Sequence, residues 1–201
     1  MRKKSHLSLA SFLMKSEGME VLSTHKAAFY WGNILPDCIP SFITRRHTIE
    51  ETFHFMKKEL SLLIEDYNYA QGITGYFCRH LGIVLHYVAD YFTYPHNNFY
   101  PGNIKDHCYY EKDMKFYMRA YIKTRDAQRC RNLDFPLKSV DDICHFVREA
   151  HNKYAKEQHS VSGDCNIIVS ICHQIVDFIL SLAEHKNSVI VQNHEQLRPV
   201  P

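Results

Sequence analysis

Apolar residues recur at every third or fourth position through most of the chain, and no segment shows the alternation of a half-buried strand. Thr48 followed by Glu51 has the form of a capping box, and the apolar positions after it predict a helix to about residue 66. The segment from Ala70 to about Tyr94 is apolar nearly all round. It therefore predicts a buried central helix that ends before Pro95.

The remaining helices are predicted from the same spacing, with Ser5 as the N-cap of the first helix and Gly18 as its stop. Ser139 with Asp142 opens a sixth helix. These further helices cover about residues 5–17, 20–31, 106–125, 139–157, and from 164 or 166 to 186. We therefore predict an all-α fold with a single compact multi-helix domain over residues 1–186, followed by a C-terminal tail over residues 187–201.

Size and composition indicate one globular domain rather than a disordered chain. The 201 residues are 45% hydrophobic, which is enough to bury a substantial core. The formal net charge is only +2, so the chain lacks the excess of positive charge of a protein that binds nucleic acid by neutralising its phosphates. No stretch approaches the roughly 20 apolar residues of a membrane span, and we expect no transmembrane segment.

The cysteines and the first residues bear on the cellular compartment. The seven cysteines are odd in number and show neither C-x-x-C pairs nor zinc-finger spacing, which indicates reduced thiols in a cytosolic protein. The opening MRKKSHLSLASFLM has a basic head and a short apolar segment, but no convincing A-x-A cleavage site. We therefore predict a cytoplasmic protein without a signal peptide.

Histidine is the compositional outlier, with 14 residues in the chain. His86 and Asp90 are four residues apart, as are His107 and Glu111, and His96 lies between the two pairs. Residues four apart share one face of a helix, so each pair can converge on one point. Imidazole nitrogen and carboxylate oxygen are the usual donors of catalytic zinc sites, and the two oxygens of Asp90 can bridge two ions. The alternative is a structural hydrogen bond between His86 and Asp90 in a buried helix.

Three further residues extend the set of candidate ligands. Asp37 lies in the GNILPD loop, His47 at the start of the following helix, and His6 in the first helix. Each has a structural alternative. Asp37 can be a turn residue, His47 can lie on a solvated face beside two arginines, and His6 alone is unremarkable. Spacing by itself leaves these alternatives open.

Four sequence blocks follow one another in a specific order. They are the early histidine in KSHLSLA, NILPD followed by TRRH, HYVADYFTYPH with its H-x-x-x-D, and H-x-x-x-E in HCYYE. Through them the chain resembles the zinc-dependent phospholipase C family, an all-helical superfamily that includes single-strand-specific nucleases and phosphatidylcholine-hydrolysing toxins. The resemblance covers about residues 5–120. The last 80 residues carry no such motif and are predicted to form packing helices.

The resemblance implies a ligand set for two or three zinc ions. It assigns Asp37, His47, His86 and Asp90 to one ion, and His96, His107 and Glu111 to a second. A third ion in the family is held by the early histidine, here His6, by the bridging Asp90, and by the amine and carbonyl of an N-terminal Trp. This chain has no Trp at that position, so the third site can be empty, completed by water or closed by Met1.

The chemistry implied by the resemblance is phosphoester hydrolysis. Divalent ions polarise phosphoryl oxygens and lower the pKa of bound water from about 16 towards about 7, and Asp37 or Asp90 can accept its proton. The expected substrate is a phospholipid or another small phosphoester. A single-strand nuclease of the same fold ranks second, because the chain is nearly neutral and has HCYYE where the nucleases tend to have H-x-x-x-D. A metal-binding protein without turnover is the third hypothesis, and the oligomeric state is left open.

Overall fold

The computed structural model describes residues 1–40, 45–129 and 139–196, with side chains described up to residue 188. Within these residues the protein is all-α, as predicted, with seven α-helices and no strand. The helices are α1 (Lys3–Leu13), α2 (Lys26–Gly32), α3 (Ile49–Ile64), α4 (Gly75–Tyr91), α5 (Ile104–Tyr121), α6 (Val140–Tyr154) and α7 (Val161–Gln196). Short 3₁₀ turns precede α2 and lie on both sides of α4.

Helix α4 is the buried centre of the fold. Thr74 caps its N-terminus by accepting a hydrogen bond from the Phe77 amide, and nearly every side chain from there to Tyr91 is buried. Helices α2, α3 and α7 pack around it. Polar residues on α4 therefore point into the protein and need partners there, because an unpaired buried polar group is costly.

Two glycines bring α2 and α4 into very close contact. A Cβ atom on Gly32 would lie 2.1 Å from the Arg79 carbonyl oxygen, and one on Gly82 would lie 2.5 Å from that of Phe29. Both contacts are with backbone atoms, so a side chain at either position would force the helices apart. The close crossing places the end of α2, at Asn33, beside the C-terminal half of α4.

Helix α3 begins at the predicted cap. Thr48 Oγ1 accepts a hydrogen bond from the Glu51 amide at 3.3 Å, which is one half of the predicted capping box. The Glu51 carboxylate does not complete the box, because its Oε2 accepts the Arg46 amide at 3.0 Å instead. This bond fixes the chain immediately before His47.

Helices α5 and α6 both begin with complete capping boxes. Asn103 pairs with Asp106 at the start of α5, and Ser139 pairs with Asp142 at the start of α6, as predicted. Helix α5 packs against α1 and α7. Its first turns therefore lie beside the N-terminal segment of the chain.

The ends of α4 differ from the predicted bounds. Tyr69–Gln71 form a separate 3₁₀ turn, because Gly72 follows with a φ of 68°, outside the right-handed helical region. At the other end the helix stops at Tyr91, and a second 3₁₀ turn, Tyr94–His96, contains Pro95. His96 thus lies on a turn that follows the central helix.

Helix α7 corrects two expectations from the sequence. It continues to Gln196, so residues 187–196, which the sequence pattern predicts to be a tail, are helical. The division into a domain and a tail stays a prediction, and residues 197–201 lie outside the described part. The segment Val161–Ser188 is also long and apolar enough to cross a membrane, contrary to the expectation that no stretch approaches that length and composition, whereas the absence of a transmembrane segment stays a prediction. Its most apolar window is 67% buried in the fold, where α7 packs against α4 and α5, which accounts for its composition.

The six cysteines among the described residues are free thiols. Four of them, Cys78, Cys144, Cys165 and Cys172, are buried in the core. Cys108 is exposed, and Cys130 lies outside the described residues. The cytoplasmic location stays a prediction.

Candidate metal centre

Helix α4 supplies the two most deeply buried residues of the candidate site. His86 and Asp90 lie one turn apart, and both side chains are fully buried. Asp90 Oδ2 is 3.2 Å from His86 Nε2. The other imidazole nitrogen of His86, Nδ1, lies 2.9 Å from the Asn33 carbonyl oxygen at the end of α2. The close crossing of α2 and α4 therefore fixes the orientation of His86.

The segment between α2 and α3 adds His47 and Asp37. His47 Nδ1 is 2.9 Å from Asp90 Oδ2 and 3.0 Å from His86 Nε2. Asp37 Oδ1 lies 3.8 Å from each of the same two imidazole nitrogens. The Asp37 side chain is 21% exposed, so it faces both the cluster and the solvent.

A second group of residues lies on the other side of Asp90 and comes from the 3₁₀ turn and α5. Glu111 Oε1 is 3.1 Å from His96 Nε2 and 3.3 Å from His107 Nε2. His96 Nδ1 is 3.6 Å from Asp90 Oδ1, which connects the two groups. The His107 side chain is 33% exposed and is the most accessible of these residues.

The first residues of the chain occupy the remaining side of the cluster. His6 on α1 stacks on His86 with ring centroids 4.1 Å apart, and its Nε2 is 3.3 Å from Asp90 Oδ1. The α-amino group of Met1 lies 2.5 Å from the same Asp90 oxygen and 2.8 Å from His96 Nε2. The amine therefore lies beside the residues to which the resemblance assigns a third ion.

All eight candidate ligands named from the sequence lie in one cluster around Asp90. Asp90 Oδ1 faces the Met1 amine and His96. Oδ2 faces His47 and His86. Three sets have donor atoms within 4.8 Å of one another: His47, His86 and Asp90; His96, His107 and Glu111; and His6, Asp37 and His86. The first two sets agree with the groupings that the resemblance implies, and the third places His6 with Asp37 as well as beside Asp90.

The charges of the cluster change the pKa values of its carboxylates. Burial alone would raise the pKa of Asp90, but the Met1 ammonium and the His96 imidazole outweigh it and hold that pKa well below its usual value. The pKa of Glu111 is also lowered, because hydrogen bonds from His107 and His96 outweigh the effect of burial. Both groups are carboxylates at neutral pH, as metal ligands must be.

The imidazoles nearest the N-terminus are kept neutral. Burial, together with the neighbouring His86, lowers the pKa of His6 to about 4. Burial and the Met1 ammonium also lower the pKa of His96. Both ring nitrogens of His6 are buried, and neither makes a hydrogen bond of acceptable geometry. A bound cation would satisfy such a nitrogen, whose burial without a partner is otherwise costly.

The hydrogen bonds of His86 are compatible with a cation between His86, His47 and Asp90. The Asn33 carbonyl oxygen can only accept, which assigns the proton of a neutral His86 to Nδ1 and leaves a lone pair on Nε2. His47 Nδ1 carries at most one proton and has two close neighbours, Asp90 Oδ2 and His86 Nε2. Asp90 Oδ2 and His86 Nε2, which both accept hydrogen bonds, therefore face each other at 3.2 Å. An imidazole that donates one N–H to a backbone carbonyl and presents its other nitrogen is the usual arrangement of a zinc-binding histidine.

A second buried carboxylate, Asp164 on α7, anchors two segments that carry candidate ligands. Its Oδ2 accepts hydrogen bonds from the Tyr94 amide at 2.8 Å and the Tyr110 hydroxyl at 2.9 Å. Its Oδ1 accepts one from the Tyr154 hydroxyl at 2.8 Å. Tyr94 opens the turn that carries His96, and Tyr110 precedes a candidate ligand on α5. From the sequence Asp164 is only a helix start, because a carboxylate that pairs with distant residues leaves no local pattern.

A polar cleft with a volume of about 380 Å³ opens beside the cluster. Arg46, Tyr100 and His107 are among the residues of its walls, which include the turn after α4 and the N-terminus of α5. His107 belongs both to a wall of the cleft and to the ligand cluster. The cleft therefore borders the cluster at His107.

Comparison with known proteins identifies the family of the chain. The sequence model of the family described as zinc dependent phospholipase C matches residues 5–161, from α1 to the start of α7. Neither a search of curated proteins nor a search of solved structures gave a significant match. The family match spans well over half of the chain, and the protein therefore belongs to the zinc-dependent phospholipase C family.

Proposed function

We propose that the protein is a zinc-dependent phosphoester hydrolase of the phospholipase C type. The observation that carries the proposal is the convergence of five imidazoles and three carboxylates in one cluster that opens on a polar cleft. A purely structural role is a poor alternative, because several buried carboxylates and acceptor nitrogens facing one another would be costly without cations.

The residues fit two ions on either side of Asp90. One ion would be held by Asp37, His47, His86 and Asp90 Oδ2. The other would be held by His96, His107, Glu111 and Asp90 Oδ1. The support for this division is that the two oxygens of Asp90 face different groups of imidazoles. Imidazole and carboxylate donors of this kind suit zinc.

A third ion would use His6, Asp90 and the Met1 amine. The support is the position of the amine, 2.5 Å from Asp90 Oδ1, beside a histidine whose ring nitrogens make no hydrogen bond. Zinc content should therefore differ between the chain that starts at Met1 and the same chain with a Gly-Ser extension before it. We expect the extension to cost one ion per chain. Equal zinc in the two proteins would contradict this third site.

Bound zinc would polarise the phosphoryl oxygens of the substrate and make hydroxide available near neutral pH. The chain itself supplies the proton acceptor, and Asp37 is the better candidate of the two carboxylates predicted to be catalytic. Its side chain is 21% exposed, and its Oδ1 is 3.8 Å from its neighbouring imidazole nitrogens, which is too long for a hydrogen bond and leaves this oxygen uncommitted to them. Asp90 is fully buried with both oxygens in close contact with the cluster, so it acts as a ligand.

The proposed substrate is a phospholipid or another small phosphoester that enters through the cleft. His107 lies where the cleft meets the cluster, so the reacting phosphate would pass this residue. The nearly neutral chain, with a net charge of +2, gives no support to a nuclease.

The test is zinc content measured together with hydrolysis on the untagged, zinc-loaded chain. We expect two or three zinc ions per chain, and hydrolysis of a p-nitrophenyl phosphodiester and of a phospholipid. Asp37→Asn should lose most of the hydrolysis, whereas Glu20→Gln, a change at an exposed carboxylate in the turn before α2, should retain it.

The alternatives give different results in the same test. A chain without zinc would overturn the proposal. A zinc-loaded chain that hydrolyses neither substrate would favour a metal-binding protein without turnover. With single-stranded DNA as a third substrate, hydrolysis restricted to the DNA would favour the nuclease.

A further inference from the structure

Arg46 brings a positive charge to the cleft beside the ligand cluster. Arg46 and His107 both belong to the walls of this cleft, whose volume is about 380 Å³. The backbone of Arg46 is fixed, because its amide donates to Glu51 Oε2 at 3.0 Å. Its side chain is exposed, and within the described part of the chain its guanidinium makes no hydrogen bond or ion pair. The guanidinium is thus available to a ligand.

The other described walls of the cleft carry no carboxylate. Two of their three asparagines are already engaged. Asn97 Nδ2 donates to the Thr93 carbonyl at 3.0 Å, and Asn103 Oδ1 caps the start of α5. Arg46 is therefore the cationic group that the described walls present to an anion.

We propose that Arg46 binds a second anionic group of the substrate, in addition to the phosphate that is hydrolysed. The proposal rests on the proposed function and names the substrate class of that site. A guanidinium presents its N–H donors in a planar fork that matches a phosphate or a carboxylate. The substrate is then a phosphoester with an anionic head group, such as a phosphorylated polyol.

The same walls disfavour a cationic head group such as choline. A quaternary ammonium is recognised by the faces of several aromatic rings. Tyr100 is the aromatic residue of the described walls, and its ring packs on Gly102, where a Cβ atom would lie 2.4 Å from the hydroxyl. The charge of Arg46 adds repulsion.

A nucleic acid is also polyanionic, but it requires a different surface. Single strands bind along grooves that combine several cations with aromatic rings on which successive bases stack. The described walls of this cleft offer one arginine and one tyrosine. They fit one small head group.

The test compares two soluble ligands of the zinc-loaded chain, inositol 1,4-bisphosphate and phosphocholine, by isothermal titration calorimetry. Each ligand has a phosphate for the metal cluster, but only the first has a second anionic group. We expect the bisphosphate to bind about tenfold more tightly, which corresponds to about 1.4 kcal/mol. Arg46→Gln should abolish this preference. Arg45→Gln is the matched control and should retain it, because the Arg45 guanidinium lies 4.7 Å from the centre of the Phe55 ring.

The outcomes separate this proposal from the proposed function. A zinc-loaded chain that binds the two ligands equally, or a preference that survives in Arg46→Gln, would overturn the head-group assignment alone. A chain that binds no zinc would overturn both. An oligonucleotide that binds more tightly than the bisphosphate, in a manner dependent on Arg46, would contradict a small head group as the occupant.

Discussion

Two buried aspartates, Asp90 and Asp164, are surrounded in opposite ways. Their exposures are 0% and 1%. Asp90 faces four imidazoles and the Met1 ammonium. The Met1 ammonium, followed by His96, outweighs burial and holds the pKa of Asp90 well below its usual value. Asp164 accepts three hydrogen bonds from neutral donors, one amide and two tyrosine hydroxyls. Burial outweighs these bonds and raises the pKa of Asp164 to about 6.

These different surroundings distinguish a carboxylate that needs a bound cation from a carboxylate that does not. At Asp164 both oxygens have donors from the protein, so the carboxyl group is satisfied by the fold. At Asp90 the nearby His86 Nε2 is itself an acceptor, because its Nδ1 proton is committed to the Asn33 carbonyl. A buried carboxylate with acceptors beside it is a candidate metal ligand, and one surrounded by donors is a structural anchor.

Asp90→Asn should have the largest effect, because it removes a charge and most of the bridging capacity of the cluster. We expect it to release at least one zinc ion per chain. Hydrolysis should fall by more than about 100-fold, since changes to the partners of metal ligands alone cost about 10–100-fold. Metal analysis and rates measured side by side check this.

Two variants serve as controls for this prediction. Asp164→Asn should retain all of its zinc, and His6→Ala should lose only the ion of the third site. If Asp90 merely orients His86 by a hydrogen bond, asparagine can partly replace it. An Asp90→Asn protein with its full complement of zinc would therefore rule out the bridging role.

Removal of zinc should lower the melting temperature by about 6–16 °C. A ligand present at about 100–1,000 times its Kd stabilises the folded state by about 3–4 kcal/mol. In a chain of this size each 1 kcal/mol shifts the melting temperature by about 2–4 °C. Calorimetry before and after treatment with EDTA measures the shift, and added zinc should reverse it. An unchanged melting temperature after complete removal would mean that the cluster folds without cations.

Asp164→Ala should lower the free energy of unfolding by about 3–5 kcal/mol, because three buried donors lose their acceptor. Tyr154→Phe removes one of these bonds and should cost only about 1 kcal/mol. Since Asp164 also holds the turn that carries His96, zinc affinity should fall by about tenfold. The control is Ile179→Ala, at a buried position of the same helix, which should cost about 2–5 kcal/mol and leave zinc affinity unchanged. Equal zinc affinities in the two alanine variants would restrict Asp164 to a structural role.

The candidate ligands could be predicted from the sequence because their arrangement is mostly local. His86 and Asp90, like His107 and Glu111, are four residues apart on helices, and helical geometry converts that spacing into proximity. His96 lies between the two pairs, and the specific order of the sequence blocks identifies it. Capping at Ser139 is local in the same way.

Other parts of the site depend on contacts between distant segments. The carbonyl that orients His86 belongs to the backbone of Asn33, so no residue type marks it in the sequence. Arg46 resembles a residue on a solvated face, because the cleft that it lines is completed by a turn about 50 residues later. Residues 187–196 contain no clear stop or cap, so the sequence does not mark where the last helix ends. The backbone continues α7 through them to Gln196.

The pKa of Asp164 predicts a dependence of stability on pH. Its usual value of 3.8 is raised to about 6 in the folded protein, so the folded chain keeps this proton where the unfolded chain has lost it. The resulting stabilisation is fully present below about pH 4 and is lost as the pH rises to about 6. A difference of about two pKa units corresponds to about 3 kcal/mol.

Asp164→Asn removes this titration and keeps one acceptor oxygen for the buried donors. At saturating zinc, the difference in unfolding free energy between variant and parent should move in favour of the variant by up to about 3 kcal/mol between about pH 4 and pH 7. The lowered pKa values of Asp90 and Glu111 have the opposite effect, because they reduce the unfolding free energy as the pH falls. Variant and parent share this effect, so it cancels in the difference between their unfolding free energies. Tyr154→Phe keeps the carboxyl group and should retain the pH dependence of the parent. A difference that is flat across this range would mean that Asp164 is ionised throughout, as Asp90 is, and the contrast between the two carboxylates would then lie in their neighbours alone.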